Sequence, residues 1–156
     1  MAIEIRKVTL EDVPFLREAL YHAIFVPPEA EPPPRSLIDL PELAAYVEDF
    51  GTRAGDVGVL ALDGATPVGA AWARLMRGYG FVNEATPELS ISLLPGYRGS
   101  GIGTQMMKAL LAALVPVASR VSLSVQVSNP AFRLYQRLGF QIVARDGESA
   151  IMVLSL

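Results

Sequence analysis

The residues with the clearest capacity for chemistry form one glycine-rich run, Gly96-Tyr97-Arg98-Gly99-Ser100-Gly101-Ile102-Gly103-Thr104. Residues 88–94, directly before it, are typical of a strand, and residues 105–115, directly after it, are typical of a helix. A glycine-rich turn at such a junction directs several backbone N–H groups into one concavity at the positive end of the helix dipole. The run therefore predicts a site that holds a phosphate group.

The spacing of the glycines excludes two common nucleotide-binding loops. A Walker loop requires a lysine followed by serine or threonine after its last glycine, whereas Thr104-Gln105 follows Gly103 here. A dinucleotide-binding loop requires its third glycine three residues after the second, where this chain has Thr104. The pattern that fits is Arg-x-x-Gly-x-Gly, at Arg98, Gly101 and Gly103. Taken alone, that pattern is also compatible with a turn that holds no ligand.

A second patterned segment follows the predicted helix and strand that come after the glycine-rich run. It reads Ser128-Asn129-Pro130-Ala131-Phe132-Arg133-Leu134-Tyr135-Gln136-Arg137-Leu138-Gly139-Phe140. It combines an Asn-Pro pair, a Leu-Tyr pair and a closing Leu-Gly-Phe. Asn129-Pro130 is expected to start a helix there, and Gly139 is expected to end it.

Together, the two motifs resemble those of the GNAT superfamily of N-acetyltransferases, in the same order and on the same kinds of element. The resemblance covers essentially the whole chain and is tightest from Glu88 to Phe140. It implies an enzyme that transfers an acetyl group from acetyl-CoA to an amine by direct attack in a ternary complex, with coenzyme A as product. It also implies the α/β fold of that superfamily, a mixed sheet flanked by helices.

The resemblance assigns most of the cofactor site to backbone and loop residues. Two parallel strands are expected to splay apart, leaving backbone groups of Ile91, Ser92 and Leu93 for the pantetheine amides. Asn129 and Tyr135 would contact the pantetheine or its thiol end. The pyrophosphate would be held by Arg98, Gly99, Ser100, Gly101, Ile102, Gly103 and Thr104.

The resemblance also suggests which side chains move protons. Tyr135 stands where the superfamily places the proton donor for the departing thiolate, and a tyrosine is protonated at pH 7; the alternative is a tyrosine that only packs. Glu88 is the first candidate for the base and Glu84 the second. Either glutamate is equally compatible with a solvated surface carboxylate, and ordered water is a further alternative to a single base.

The acceptor is expected to be a small-molecule amine. Five prolines make residues 26–34 a stiff, extended segment, which would favour a small molecule if it folds over the site. A protein N-terminus or lysine is the alternative acceptor. A non-catalytic acyl-CoA-binding module is the alternative from another class, although the presence of Arg98, Asn129 and Tyr135 together argues against it.

Periodicity along the chain predicts the elements that position these residues. The expected order is β-α-α-β-β-β-α-β-α-β-β, which implies a mixed sheet with helices on its faces. The second helix is expected to have Pro41 in its first turn, to carry Leu43, Val47 and Phe50 on one face, and to stop at Gly51.

Size and composition set the remaining expectations. A chain of 156 residues predicts one domain, here an N-acetyltransferase domain over residues 1–156. A net charge of −3 argues against a nucleic-acid partner. The absence of cysteine and the single histidine, His22, argue against a metal site. Without a signal-peptide pattern or a long apolar stretch, we expect a cytoplasmic protein without membrane contact. The apolar strand Ile151–Leu154 permits a homodimer.

Overall fold

The computed structural model describes residues 2–156, which form a mixed sheet flanked by helices. The predicted order of strands and helices is confirmed, with short 3-10 turns between some of them. The strands are β1 (Ile3–Lys7), β2 (Val57–Asp63), β3 (Thr66–Arg74), β4 (Glu88–Leu93), β5 (Arg120–Gln126), β6 (Gln141–Asp146) and β7 (Ser149–Ser155). The α-helices are α1 (Val13–Ala23), α2 (Pro41–Ala44), α3 (Ile102–Leu114) and α4 (Ala131–Leu138).

The sheet has the strand order β1-β2-β3-β4-β5-β7-β6. Every neighbouring pair is antiparallel except β4 and β5, which run parallel. These two strands pair at one position only, Glu88 opposite Ser122, close to where both begin. Towards their carboxyl ends the strands therefore part, as predicted, and leave an opening in the middle of the sheet.

Both faces of the sheet are covered, and each face has its own apolar core. One core gathers residues of α3 with β5, β7 and one face of β2 and β3. The other gathers residues of α1 with Tyr46, Val47, Phe50 and the opposite face of β2 and β3. Because side chains alternate along a strand, Leu89 of β4 lies in the first core, whereas Ser92 faces α1 and donates to the carbonyl oxygen of Ala19 at 2.6 Å.

The second helix is shorter than the sequence pattern predicts. It is α-helical only over Pro41–Ala44, and the chain then continues through irregular turns to Gly51. Side chains of β3 donate hydrogen bonds to backbone carbonyl oxygens of this segment. Trp72 donates to that of Tyr46, and Arg74 donates to those of Ala45 and Glu48. Of the predicted face, Val47 and Phe50 lie in the core, whereas Leu43 is only partly buried and lies outside it.

Helix α3 begins three residues earlier than expected, at Ile102, because Gly101 adopts a left-handed conformation and starts the helix. Among residues 2–156, no helix is long and apolar enough to cross a bilayer.

Candidate functional site

The opening between β4 and β5 exposes one edge of β4. The strand pairs in unbroken register with β3 on its other side, where Ile91, Ser92 and Leu93 lie opposite Ala71, Ala70 and Gly69. On the β5 side, no strand within residues 2–156 pairs with β4 beyond Glu88. Backbone groups on that edge are therefore available to a ligand that adds to the sheet like a strand.

The glycine-rich run lies directly after this edge, at the mouth of the opening. Gly99 and Gly101 have φ angles of 80° and 85°, a left-handed conformation that strongly favours glycine. No acceptor within the described residues takes the backbone N–H groups of residues 99–104, and a Cβ added at either glycine would meet nothing within 4 Å. An exposed cradle of six unpaired N–H groups at the start of α3 suits a pyrophosphate.

The side chain of Arg98 adds a positive charge to this cradle. Its Nε donates to the carbonyl oxygen of Leu93 at 3.2 Å, and one terminal nitrogen donates to that of His22 at 3.3 Å. These bonds join the loop to the end of β4 and to the last turn of α1. The guanidinium remains exposed and has further N–H groups to offer an anion.

Helix α4 positions the two residues that the second motif supplied. Asn129 uses its side-chain oxygen locally, accepting the N–H of Ala131 at 2.9 Å, and so orders the start of the helix. Tyr135 lies one helix turn before the end of α4, where its ring packs against Phe140 with the centroids 5.9 Å apart. Tyr135 thus lies on the predicted helix, whereas Asn129 lies two residues before its first residue, Ala131.

Tyr135 is buried, with 7% of its surface exposed, in the core formed with α3 and β5. No hydrogen bond from its hydroxyl occurs within the described residues, yet this oxygen is not sealed from solvent. Desolvation raises the pKa of Tyr135 above its ordinary value, so that the phenol carries its proton throughout the neutral range. A neutral hydroxyl without a partner is a suitable proton donor to a ligand.

Glu88 lies at the closed end of the opening and is 3% exposed. Its Oε2 accepts a hydrogen bond from the hydroxyl of Tyr46, whereas its Oε1 is buried and has no partner within the described residues. Burial raises the pKa of Glu88 above the ordinary value of a glutamate, although the hydrogen bond from Tyr46 and the nearby backbone of Gly80 and Gly78 oppose the shift. Such a carboxyl is suited to exchange protons nearer neutral pH.

Glu84, the second candidate for the base, has a different environment. Its side chain is 72% exposed and forms a surface ion pair with Arg77. The Arg77 guanidinium also lies over the ring of Phe81, 4.8 Å from the centroid. Of the two predicted carboxylates, only Glu88 is therefore part of the buried network beside the opening.

Tyr46 is the residue of this network that the sequence pattern did not single out. Its position in the chain is 42 residues from Glu88, and no local motif connects the two. The backbone of the Arg77-Gly78-Tyr79-Gly80 turn packs directly against the Tyr46–Glu88 pair.

Comparison with known protein sequences gives two matches. A sequence profile of the acetyltransferase (GNAT) family matches residues 17–140. Over 74 residues, the chain is 42% identical to an N-alpha-acetyltransferase of Sulfurisphaera tokodaii, a match that covers 42% of this chain and 44% of that protein. The match thus spans less than half the length of this relative.

Solved structures share the fold over nearly the whole chain. The PaiA N-acetyltransferase of Thermoplasma acidophilum, in complex with coenzyme A, has a TM-score of 0.71 at 21% identity, with both chains covered completely. The phosphinothricin acetyltransferase of Sinorhizobium meliloti, in complex with acetyl-CoA, has a TM-score of 0.71 at 21% identity and covers 100% of this chain and 89% of its own. At these identities the likeness shows a common fold.

Proposed function

Since this chain belongs to the acetyltransferase (GNAT) family, we propose that it transfers an acetyl group from acetyl-CoA to a primary amine by direct attack in a ternary complex. The observation that carries the proposal is the parting of β4 and β5, with the glycine cradle directly after β4 and with Tyr135 of α4 in the core that also contains β5. In this proposal residues 1–156 act as one N-acetyltransferase domain.

The donor site is assembled from groups that still have hydrogen-bonding capacity to offer a ligand. The N–H groups of residues 99–104 and the guanidinium of Arg98 bind the pyrophosphate. The free edge of β4 over Ile91, Ser92 and Leu93 binds the pantetheine amides. The side-chain nitrogen of Asn129, whose oxygen is already used by the helix, is left for the pantetheine end.

Acetyl-CoA supplies the acetyl group as an activated thioester. A backbone N–H of β4 near Leu93 donates to the thioester oxygen, where negative charge develops. Tyr135 donates its proton to the departing sulfur, which lowers the barrier without being indispensable because a thiolate with a pKa near 8.5 is already a fair leaving group. The chain therefore contributes hydrogen-bond donors and a proton, all held in place by β4 and α4.

The amine must lose a proton in order to react, and Glu88 is the base in this proposal. A lysine-like amine has a pKa near 10.4, so only roughly one molecule in a few thousand is neutral at pH 7. Glu88 is favoured over Glu84 because it is buried beside the opening and has a free oxygen, whereas Glu84 is paired with Arg77 at the surface. The transfer to Glu88 proceeds directly or through one water.

A small-molecule amine is the first candidate acceptor. The proline-rich segment folds back on α1, where Tyr21 donates to the carbonyl oxygen of Pro33 at 2.7 Å and Arg35 forms a two-pronged ion pair with Glu18. Arg35 also lies over the ring of Tyr21, 4.6 Å from its centroid. A pinned segment of this kind limits how far the adjoining surface can adapt to a large acceptor.

A polypeptide N-terminus is the second candidate, favoured by the similarity to an N-alpha-acetyltransferase. An α-amino group has a pKa of about 7.7–8.0, so a substantial fraction is neutral at pH 7 and less is required of the base. A buried base such as Glu88 is compatible with that lower demand.

A panel of amines decides between these acceptors and tests the activity itself. Purified protein with acetyl-CoA is offered polyamines, amino acids, aminoglycosides, peptides with free N-termini and the same peptides blocked at the N-terminus, while released thiol is measured. Turnover with small amines alone supports the first candidate, and turnover that is lost on blocking the peptide supports the second. Failure to bind acetyl-CoA below millimolar concentration in calorimetry would overturn the donor site.

Replacing Arg98 with glutamine is expected to raise the KM for acetyl-CoA by about tenfold, with little change in kcat. The substitution removes one charge-assisted contact to the diphosphate, and about 1.4 kcal/mol corresponds to a factor of ten. Lys7→Gln is the matched control, since Lys7 is an exposed cation on β1 and should leave the KM unchanged. Equal KM values in the two variants would show that Arg98 does not contact the cofactor.

A further inference from the structure

A buried tyrosine and a buried glutamate meet at the closed end of the opening, and their contact comes only from tertiary structure. We propose that Tyr46 is the positioning residue for Glu88, acting through the hydrogen bond that its hydroxyl donates to Oε2. The proposal rests on the function proposed above for Glu88 as the base. It assigns a role in proton removal to a residue far from both cofactor motifs.

The direction of this hydrogen bond follows from the chemistry of the carboxylate. An ionised carboxylate can only accept, so the single proton of the Tyr46 hydroxyl points to Glu88. The backbone N–H of Tyr79 donates to the same hydroxyl oxygen at 2.9 Å and occupies one of its lone pairs. Tyr46 therefore acts as a donor to Glu88 rather than as an acceptor from it.

The tyrosine is itself held in place from the side of β3. The indole N–H of Trp72 donates to the carbonyl oxygen of Tyr46 at 3.0 Å. The guanidinium of Arg74 donates to Ala45 and Glu48, on either side of Tyr46, at 2.9 and 2.6 Å. The hydroxyl thus keeps its position without any help from Glu88, which is what a positioning residue requires.

Tyr46 binds one carboxyl oxygen of Glu88 and leaves the other without a hydrogen-bond partner in the described part of the chain. Oε1 of Glu88 is buried and has no partner within residues 2–156, although buried polar atoms are nearly always paired. Gly78 lies against this atom, and a Cβ added there would come within 2.6 Å of it. A purely structural carboxyl would be expected to have both oxygens satisfied, whereas a proton acceptor needs one that is free.

Among the groups that face Glu88 in the described structure, Tyr46 is the side chain that donates a hydrogen bond to it. The Gly78–Gly80 turn presents backbone amides, and Ser122 of β5, which pairs with Glu88, donates its hydroxyl to the carbonyl oxygen of Gly80 at 2.7 Å. Arg74 lies opposite Glu88 on β3, but its guanidinium is bound to Asp56. Loss of the Tyr46 hydroxyl therefore removes a contact that favours the carboxylate, and the pKa of Glu88 rises further.

The test is the pH profile of kcat/KM for Tyr46→Phe, measured with the most active amine of the panel. The acid limb is expected to move to higher pH by about one unit, because a hydrogen bond to a charged group is lost. The KM for acetyl-CoA should stay the same. In a Glu88→Gln background, Tyr46→Phe should have no additional effect, because Tyr46 acts through Glu88.

A second readout does not depend on turnover. In protein labelled with carbon-13 at glutamate carboxyls, the titration of Glu88 followed by NMR should shift upward in Tyr46→Phe. If that variant does not fold, a ring-fluorinated tyrosine at position 46, whose hydroxyl is a stronger donor, should shift the acid limb to lower pH. Tyr79→Phe is the control for loss of a tyrosine hydroxyl, since the Tyr79 side chain is exposed and the substitution keeps its backbone N–H.

The outcomes separate this inference from the function on which it rests. If Tyr46→Phe lowers kcat/KM equally at every pH, and neither the acid limb of the profile nor the titration of Glu88 moves, Tyr46 serves folding alone. Wild-type turnover in Glu88→Gln would overturn the role of both residues while leaving acetyl transfer intact. Absence of thiol release with every amine, despite acetyl-CoA binding, would overturn the proposed function instead.

Discussion

Replacing Tyr135 with phenylalanine is expected to lower kcat by about 100-fold, the low end of the range for a single general acid. The Kd for acetyl-CoA should change less than about twofold, because the ring and its packing against Phe140 are retained. Stability should be unchanged as well, since no hydrogen bond is lost with a hydroxyl that has none in the described structure. Steady-state kinetics, calorimetry and urea unfolding measure the three quantities.

Tyr79→Phe is again the matched control, because it removes the hydroxyl of an exposed tyrosine that lies outside both sequence motifs. Its kcat should remain at the wild-type value. A kcat for Tyr135→Phe equal to that of the control would make Tyr135 a packing residue. A large rise in the Kd for acetyl-CoA would instead show that the hydroxyl binds the cofactor in its ground state.

Replacing Arg74 with methionine is expected to lower the free energy of unfolding by about 3–5 kcal/mol, the usual cost of removing one partner from a buried ion pair. Arg74 and Asp56 are 0% and 1% exposed. The guanidinium donates to both oxygens of Asp56 and to the carbonyl oxygens of Ala45 and Glu48, and it lies over Phe50. The substitution leaves Asp56 charged and these carbonyl oxygens without their donor.

Urea unfolding measures this change, with Arg17→Met as the matched control. Arg17 pairs with Asp39 at the surface, where the side chains are 49% and 63% exposed, so its loss should cost less than about 1 kcal/mol. If the free energy of unfolding falls by less than about 1 kcal/mol in Arg74→Met as well, the buried network adds little to stability. Because Arg74 also fixes the segment that carries Tyr46, the same variant should lose activity beyond the fraction that unfolds.

The Arg74–Asp56 pair also predicts how stability depends on pH. Burial opposes ionisation of Asp56, but hydrogen bonds from Arg74 and from the N–H groups of Gly51 and Arg53 hold its pKa below the usual value. A lowered pKa in the folded state stabilises the protein above the unfolded pKa of about 3.9, and the contribution is lost as the pH falls through the folded value. Asp12, paired with Arg6, should act in the same direction.

Local sequence patterns are sufficient to predict the elements and the motifs of the proposed donor site. Periodicity gave the order of strands and helices, because the alternation of apolar residues follows directly from the geometry of each element. The left-handed Gly99 and Gly101, the exposed Arg98 and the position of Tyr135 near the end of α4 belong to local motifs, whose geometry depends on neighbours along the chain. Features of this kind can be predicted from motifs that are local in the sequence.

The length of α2 and the environment of the candidate bases depend on contacts between distant parts of the chain. The helix ends at Ala44 while Trp72 and Arg74 bind the carbonyl groups that follow, across 26 and 29 residues of chain. Glu88 is buried against Tyr46, 42 residues away, whereas Glu84 is exposed beside Arg77. Both glutamates are the same residue type close together in the sequence. What separates them is which distant groups exclude water and donate hydrogen bonds, and that is set by packing between elements rather than by local pattern.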